Sequence, residues 1–172
     1  MRIIRVVDYD PKWRDAFEAI RVEVAAALGP IALSIEHVGS TAVEGLPAKP
    51  IIDIDVIIAD YDTFDEARAR LATAGYCHQG DLGLADRHAF RYEGKVHLMA
   101  HHLYVCPAHS AELRRHLAFR DYLRSHDDAR DWYGEVKRLA ARLHPEDIEG
   151  YLAAKGPCIE EILARCRRDS RL

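Results

Sequence analysis

Two aspartates in an otherwise apolar run are the residues of this chain whose types and spacing most clearly suggest chemistry. Asp53 and Asp55 lie in the segment IIDIDVII at residues 51–58. Strand side chains alternate between two faces, so both carboxylates would point one way and most of the apolar residues the other. Two adjacent like charges repel each other and resist burial unless a cation neutralises them. The pair therefore predicts a divalent cation site for Mg²⁺ or Mn²⁺ with water and phosphate. The alternative is a solvated strand end without a metal.

A glycine–serine pair upstream favours a phosphate at this site. Gly39 would let backbone N–H groups approach an anion closely. Ser40 and Thr41 follow an apolar run and are expected to open a short helical turn, whose N-terminus would favour phosphate. Lys49 lies in the loop between this turn and the aspartate strand. It is predicted either to bind phosphate or only to fix the shape of the loop.

The elements that must position these residues follow from the hydrophobic periodicity and the turn residues. We predict strands at residues 3–7, 32–38, 51–58, 76–78, 89–92 and 95–105, the last two as a hairpin. We predict helices at residues 11–28, 62–74, 110–126, 128–143, 146–154 and 157–168. This order indicates one α+β domain over residues 1–172, with an α/β core at residues 1–108 and a helical layer at residues 109–172.

Several strings of this sequence resemble the signature of the GrpB family. They are IEHVGSTAV at residues 35–43, GL at 45–46, AKPIIDI at 48–54, YDPKW at 9–13, HHLYV at 101–105 and LAFRDYLR at 117–124. The resemblance implies a nucleotidyltransferase-like mixed β-sheet with flanking helices, of the superfold that includes DNA polymerase beta, and a C-terminal helical layer. GrpB-like domains also occur fused to dephospho-CoA kinases. That activity is not expected here because the chain has no GxxxxGK[ST] phosphate loop.

The resemblance also implies which residues face the aspartates. Alternation places His102 and Tyr104 on one face of the strand predicted at 95–105, and in the family this face would lie towards Asp53 and Asp55. Many nucleotidyltransferases carry a third carboxylate there to complete a two-metal site, and this segment has no Asp or Glu. His102 is therefore expected to bind Mn²⁺ or Zn²⁺, to act as a general base, or only to hydrogen-bond a neighbouring strand or Asp53.

Basic residues must hold the phosphates if the ligand is a nucleotide. The family-like pair Phe90-Arg91 implies that Arg91 reaches the cleft. Arg120 and Arg124 lie four residues apart, so they would present two guanidinium groups on one helix face. The alternative for helix arginines is an ion pair with an acid of another helix. Lys137 and Lys155 are lesser candidates.

Composition limits the partners of the chain. The formal net charge of −4 gives no general attraction to nucleic acid or to a membrane, so neither partner is expected. The four cysteines show no CxxC or zinc-finger spacing, which is typical of reduced thiols in a cytoplasmic protein. No segment resembles a signal peptide or reaches membrane-spanning length. A cytoplasmic location is expected.

Three functions are consistent with these residues. The first is a nucleotidyltransferase that moves a nucleotidyl group from an NTP to a small-molecule or protein acceptor, with a divalent metal on Asp53, Asp55 and His102. The second is a non-catalytic module that binds a nucleotide, a metabolite or a partner protein, which the missing third carboxylate favours. The third and weakest is a metal-dependent hydrolase built on His and Asp, for which Zn²⁺ would be the ion.

Overall fold

The chain begins with a helix, two strands, a second helix and three strands, and three further helices follow. A computed structural model describes residues 3–169. The strands in that part are β1 Ser34–Val38, β2 Ile52–Ile58, β3 Tyr76–Gly80, β4 His88–Tyr92 and β5 His101–Pro107. The α-helices are α1 Lys12–Leu28, α2 Phe64–Thr73, α3 Ala111–Ser125, α4 Asp127–Leu143 and α5 Ile148–Arg168. Within residues 3–169, no helix is both long and apolar enough to cross a membrane.

The strands form one mixed sheet in the order β1-β2-β5-β4-β3. The central strands β2 and β5 run parallel, while β1 pairs with β2, β4 with β5, and β3 with β4 in antiparallel fashion. The parallel pairing needs a long crossover, which α2, β3 and β4 supply. The α+β fold class is confirmed, and the central pair is the part of the sheet that carries the aspartates.

One face of the sheet is covered by α1 and α2. The apolar residues of α1 recur with helical spacing and those of β2 alternate, so each element buries one side. The core of this face includes Trp13, Phe17, Ile20, Val24, Leu28, Ile52, Ile54, Val56, Ile58, Phe64, Ala67, Leu71, Leu103 and Val105. Burial of these side chains fixes the register of β2, so Asp53 and Asp55 must point to the opposite face.

A second apolar cluster joins the C-terminal helices to the loop before β2. Its members are Val43, Leu46, Tyr122, Leu123, Ala129, Tyr133, Cys158, Ile162 and Cys166. The cluster places α4 and α5 beside the Ser40–Ala42 turn, which links the helices to the face of the sheet that carries Asp53 and Asp55.

Three predicted elements differ from the structure. Residues 3–7 contribute a single bridge from Val7 to Ala48 and no strand. The strand predicted at 95–105 starts only at His101, because Lys95 and His97 bind Glu23 of α1 instead of extending the hairpin.

The break predicted between residues 154 and 157 is also wrong, since α5 continues through Pro157. A proline inside a helix removes one backbone hydrogen bond and its ring crowds the carbonyl group four residues earlier, so the packing around it must offset this cost. Buried residues on both sides of it, Tyr151 and Ile162, hold the helix in one piece.

Candidate functional site

Asp53 and His102 form a hydrogen-bonded pair across the central strands. In the parallel register Asp53 lies opposite His102, and Asp55 lies opposite Tyr104. The His102 Nδ1 and Asp53 Oδ1 atoms are 2.9 Å apart. The carboxylate can only accept, so Nδ1–H donates and Nε2 keeps its lone pair when the ring is neutral. The expected placement of His102 and Tyr104 towards the aspartates is confirmed, and their chemical roles stay predictions.

Asp55 has a different environment from Asp53. Its side chain is 0% exposed, whereas that of Asp53 is 33% exposed. Asp55 Oδ2 accepts a 2.7 Å hydrogen bond from Nδ1 of His116 in α3, and Oδ1 is buried without a hydrogen-bond partner within residues 3–169. His116 is a functional candidate that the sequence analysis missed. Its position four residues before Arg120 was the available signal.

Gly39 is the point of closest approach between the glycine–serine turn and the aspartate strand. Its φ of +69° and ψ of −171° fall in a region that only glycine adopts readily. A Cβ at this position would lie 2.3 Å from Asp53 Oδ2. The expected helical turn is present as one 3₁₀ turn, Ser40–Ala42, without a side-chain cap. Ser40 instead hydrogen-bonds the buried Tyr133 of α4 and faces a cavity.

Thr41 belongs to a separate contact on the other side of the turn. Its Oγ1 lies 2.9 Å from His37 Nε2 and 3.4 Å from the carbonyl oxygen of Ile51. The His37 ring stacks on Phe17. Burial, assisted by the charge of Arg124, lowers the pKa of His37 to about 4. His37 is therefore a neutral support for the turn at neutral pH.

A cavity of about 290 Å³ lies where the turn, the sheet and the last two helices meet. Its lining includes Ser40, Asp53 and His102 together with four cationic side chains. Those four are Lys49, Arg87, Lys137 and Lys155. Lys49 is thus placed beside the aspartate strand as predicted. Lys137 and Lys155, which the sequence indicated only weakly, are brought to the same place by α4 and α5.

The lysines of this cavity lie close enough to influence one another. Burial and the charge of Lys155 lower the pKa of Lys137. Burial and the charge of Lys49 lower the pKa of Lys155 to about 8. Asp53 acts in the opposite direction on both amines. The cavity therefore has more cationic groups than its single carboxylate can compensate.

Arg87 covers Tyr104 at the edge of the cavity. Its guanidinium carbon lies 3.4 Å from the centre of the Tyr104 ring, a cation–π distance. Burial is the main reason why the pKa of Tyr104 is raised. Tyr104 therefore positions Arg87 as a neutral phenol, and its predicted contact with a nucleotide stays a prediction.

The residues that line this cavity do not include Arg91, Arg120 or Arg124. Arg91 pairs with Glu93 at 3.0 Å. Arg120 binds Glu36 at 2.8 Å and the carbonyl oxygen of His37, and Arg124 donates twice to the carbonyl oxygen of Ala42. The helix face expected from their spacing exists, but it attaches α3 to the sheet and the turn.

Arg124 also lines a larger cleft of about 750 Å³ on the far side of the turn, together with Tyr9, Arg14, His37 and Thr41. The predicted phosphate-binding residues that line the cavity beside Asp53 are Ser40, Thr41 and Lys49, with the lesser candidates Lys137 and Lys155.

The carboxylates fit a divalent cation only if the ligand brings further oxygen atoms. Asp55 Oδ1 is an unsatisfied buried acceptor, and Asp53 lies on the same strand face. Within residues 3–169, however, no three His, Cys, Asp or Glu side chains are placed to hold an ion by themselves. Mg²⁺ commonly binds through one or two carboxylates and substrate phosphates. The donor set suits a cation that arrives with phosphate.

Comparison with known sequences gives one family and several relatives. The family model described as GrpB protein matches residues 3–165. UPF0157 protein PA4798 from Pseudomonas aeruginosa is 37% identical over 171 residues, which cover 98% of this chain and 69% of that protein. UPF0157 protein YqkA from Bacillus subtilis is 29% identical over 167 residues, covering 97% of this chain. The chain spans 48% of YqkA and 43% of a Mycobacterium tuberculosis relative named dephospho-CoA kinase.

Solved structures show the same fold. The conserved protein GrpB from Enterococcus faecalis has a TM-score of 0.79 and 34% identity, with 94% of this chain and 98% of that chain covered. For the GLD-2/RNP-8 complex the TM-score is 0.58 and the identity is 15%, with 85% of this chain and 59% of that chain covered. For Cid1 with its short product ApU the TM-score is 0.52 and the identity is 16%, with 79% of this chain and 43% of that chain covered. The mixed sheet with flanking helices is thus the nucleotidyltransferase-like fold expected from the sequence.

Proposed function

The chain belongs to the GrpB protein family, and from that premise we propose that it transfers a nucleotidyl group from a nucleoside triphosphate to a small-molecule or protein acceptor. One observation carries the proposal. On a nucleotidyltransferase-like fold, the cavity beside Asp53 is lined by Ser40 and by cationic side chains from four separate parts of the chain. Such a site is suited to hold phosphates next to the aspartate strand.

Each residue of the site has a distinct role in this proposal. Ser40 and the lysines bind and orient the phosphate chain. Asp53 and Asp55 would hold Mg²⁺ or Mn²⁺, which neutralises charge on the phosphates when it is bound. His102, oriented by Asp53, accepts the proton of the acceptor hydroxyl at Nε2. The hydroxyl oxygen bonds to the α-phosphorus, the bond from that phosphorus to the bridging oxygen breaks, and pyrophosphate leaves.

The hydrogen bonds of the aspartates favour a second candidate function. Asp53 is bound by His102 and Asp55 by His116, and the strand segment at residues 95–105 contributes no third carboxylate. A protein that uses these pairs only to fix the sheet would bind a nucleotide or an acidic metabolite without turnover. Ligand binding without pyrophosphate release distinguishes this module from the transferase.

Thermal melting with each of the four NTPs, in EDTA, Mg²⁺, Mn²⁺ or Zn²⁺, tests the proposal. A ligand at about 100 times its dissociation constant stabilises by about 2.7 kcal/mol, which raises the melting temperature by a few degrees. We expect such a shift with Mg²⁺ or Mn²⁺ and at least one NTP. Asp53→Asn should lose the part of the shift that depends on Mg²⁺ or Mn²⁺, and the exposed Asp62→Asn should keep it.

Pyrophosphate release, measured under the same conditions with a panel of hydroxyl-bearing acceptors, reports turnover. Absence of a melting shift with every NTP and ion would reject the proposed function. A shift that is equal in Asp53→Asn and in the native protein would reject the role of this aspartate.

A further inference from the structure

The cavity beside Asp53 has a charge opposite in sign to that of the whole chain. Four of its lining side chains bear cationic groups, and Asp53 is the one carboxylate among the lining residues. The complete chain has a formal net charge of −4. Cationic groups concentrated in one cavity raise the local concentration of anions there. The rest of the surface of this acidic protein does not attract anions.

Two donors in this cavity have no partner in the described part of the chain. Lys137 is 2% exposed, and its Nζ makes no hydrogen bond to residues 3–169. Its nearest aromatic contact is the Tyr133 ring, with Nζ 4.6 Å from the ring centre. Arg87 Nε is likewise buried without a hydrogen-bond partner. Native proteins rarely leave buried donors unsatisfied, so these two groups point to a ligand rich in acceptors.

The size and the aromatic surface of the cavity limit what it can hold. Its volume of about 290 Å³ is at the lower end of small-molecule sites. Tyr151, the one tyrosine in the lining, already has Lys49 5.4 Å and Lys155 4.9 Å from its ring centre. Its ring is therefore not an open platform for stacking on a base. A chain of phosphates matches both the donors and the volume.

We propose that this cavity binds the phosphate chain of a di- or triphosphate without a metal ion and without regard to the base. The same chemistry is present in a nucleotide and in an inorganic polyphosphate. Where the ligand is a nucleotide, the inference rests on the proposed function, because Lys137, Lys155 and Arg87 would then bind the phosphates of the NTP that the transferase uses. The binding itself requires no turnover.

Isothermal titration in EDTA with orthophosphate, pyrophosphate, tripolyphosphate, ATP and UTP tests this assignment. We expect affinity to rise at least about tenfold from orthophosphate to tripolyphosphate, because each added phosphate meets a further cationic group. ATP and UTP should bind equally within about threefold. Preferential binding of one nucleotide, with no binding of tripolyphosphate, would overturn the assignment and leave the proposed function standing.

Lys137→Met identifies the cavity as the place of binding. We expect at least about a tenfold loss of tripolyphosphate affinity, since a charge-assisted contact is removed. The melting temperature without ligand should be unchanged or higher, because an unsatisfied buried amine is replaced by an apolar chain of similar length. The matched control is Lys12→Met, which makes the same chemical change at an exposed position in α1 and should bind normally.

The outcomes separate the two proposals. Native affinity in Lys137→Met would overturn the cavity assignment. If that variant does not fold, Lys155→Met provides the same comparison at a less buried lysine, and its native affinity would overturn the assignment too. Tripolyphosphate binding that depends on Lys137, without pyrophosphate release from any NTP, would support the phosphate site and reject the transferase.

Discussion

Gly39 shows how a single residue controls the distance between the Gly39–Ser40 turn and strand β2, which carries Asp53. Its backbone conformation is one that side chains with a Cβ rarely adopt, and the space where a Cβ would lie is taken by the Asp53 carboxylate. Two independent constraints therefore act at one position. Because of this close approach, Ser40 and Asp53 line the same cavity and lie within reach of one ligand.

At the residue scale we predict that Gly39→Ala damages both stability and the site. The strained backbone should cost about 1–3 kcal/mol of unfolding free energy, measured by urea denaturation. Displacement of Asp53 should in addition abolish the part of the NTP-induced melting shift that depends on Mg²⁺ or Mn²⁺. Gly94→Ala is the matched control, because Gly94 also has a positive φ of 73° but nothing within 4 Å of the added Cβ. Equal behaviour of the two variants would show that the contact with Asp53 has no effect on the site.

Helix α3 is attached to the functional face by three polar side chains on one of its faces. His116, Arg120 and Arg124 follow one another at intervals of four residues, so they lie along one side of the helix. They bind Asp55 of β2, Glu36 of β1 and the carbonyl oxygen of Ala42 in the turn. One helix face thus contacts the three segments whose relative positions define the site.

At the element scale we predict that His116→Ala destabilises the protein. The substitution removes the hydrogen bond that His116 donates to the fully buried Asp55. This should lower the free energy of unfolding, measured by urea denaturation, by about 1–3 kcal/mol. Arg114→Ala on the same helix removes an exposed side chain and should cost less than about 0.5 kcal/mol. If both variants lose the same small amount, the contact between His116 and Asp55 does not stabilise the attachment of α3.

At the scale of the whole molecule, the cationic side chains that line the cavity beside Asp53 come from segments distant in sequence. Lys49 comes from the loop before β2, Arg87 precedes β4, Lys137 belongs to α4 and Lys155 to α5. Their mutual repulsion and burial disfavour the charged amines, as the lowered pKa values of Lys137 and Lys155 indicate. A bound anion would reverse this effect, so binding and protonation should be coupled.

We therefore predict that tripolyphosphate affinity falls as the pH rises through about 8, the pKa of Lys155. Below this pH the amine is charged before binding, whereas above it binding must take up a proton. One such proton lowers the affinity by at most about tenfold per pH unit. Titrations at several pH values, in buffers with different ionisation enthalpies, measure both effects. Lys155→Met should flatten the dependence, and an equal slope in variant and native protein would contradict the prediction.

The sequence by itself determined the features that depend on local pattern. Alternation along β2 set Asp53 and Asp55 on one face, because the residues that alternate with them, Ile52, Ile54 and Val56, must be buried. The conformational freedom of glycine predicted the turn at Gly39, and the four-residue spacing of Arg120 and Arg124 predicted a shared helix face. The sequence segments that resemble the GrpB signature predicted the nucleotidyltransferase-like sheet.

Only the tertiary structure decided which of these side chains meet. It directed Arg120 and Arg124 to the sheet and the turn, brought His116 to Asp55, and gathered Lys49, Lys137 and Lys155 around one cavity. None of these contacts has a local signature, because each depends on how α3, α4 and α5 pack against a sheet formed by residues far away in the chain. The spacing of residues along a helix shows which of them share a face, and the packing of the helix decides what that face contacts.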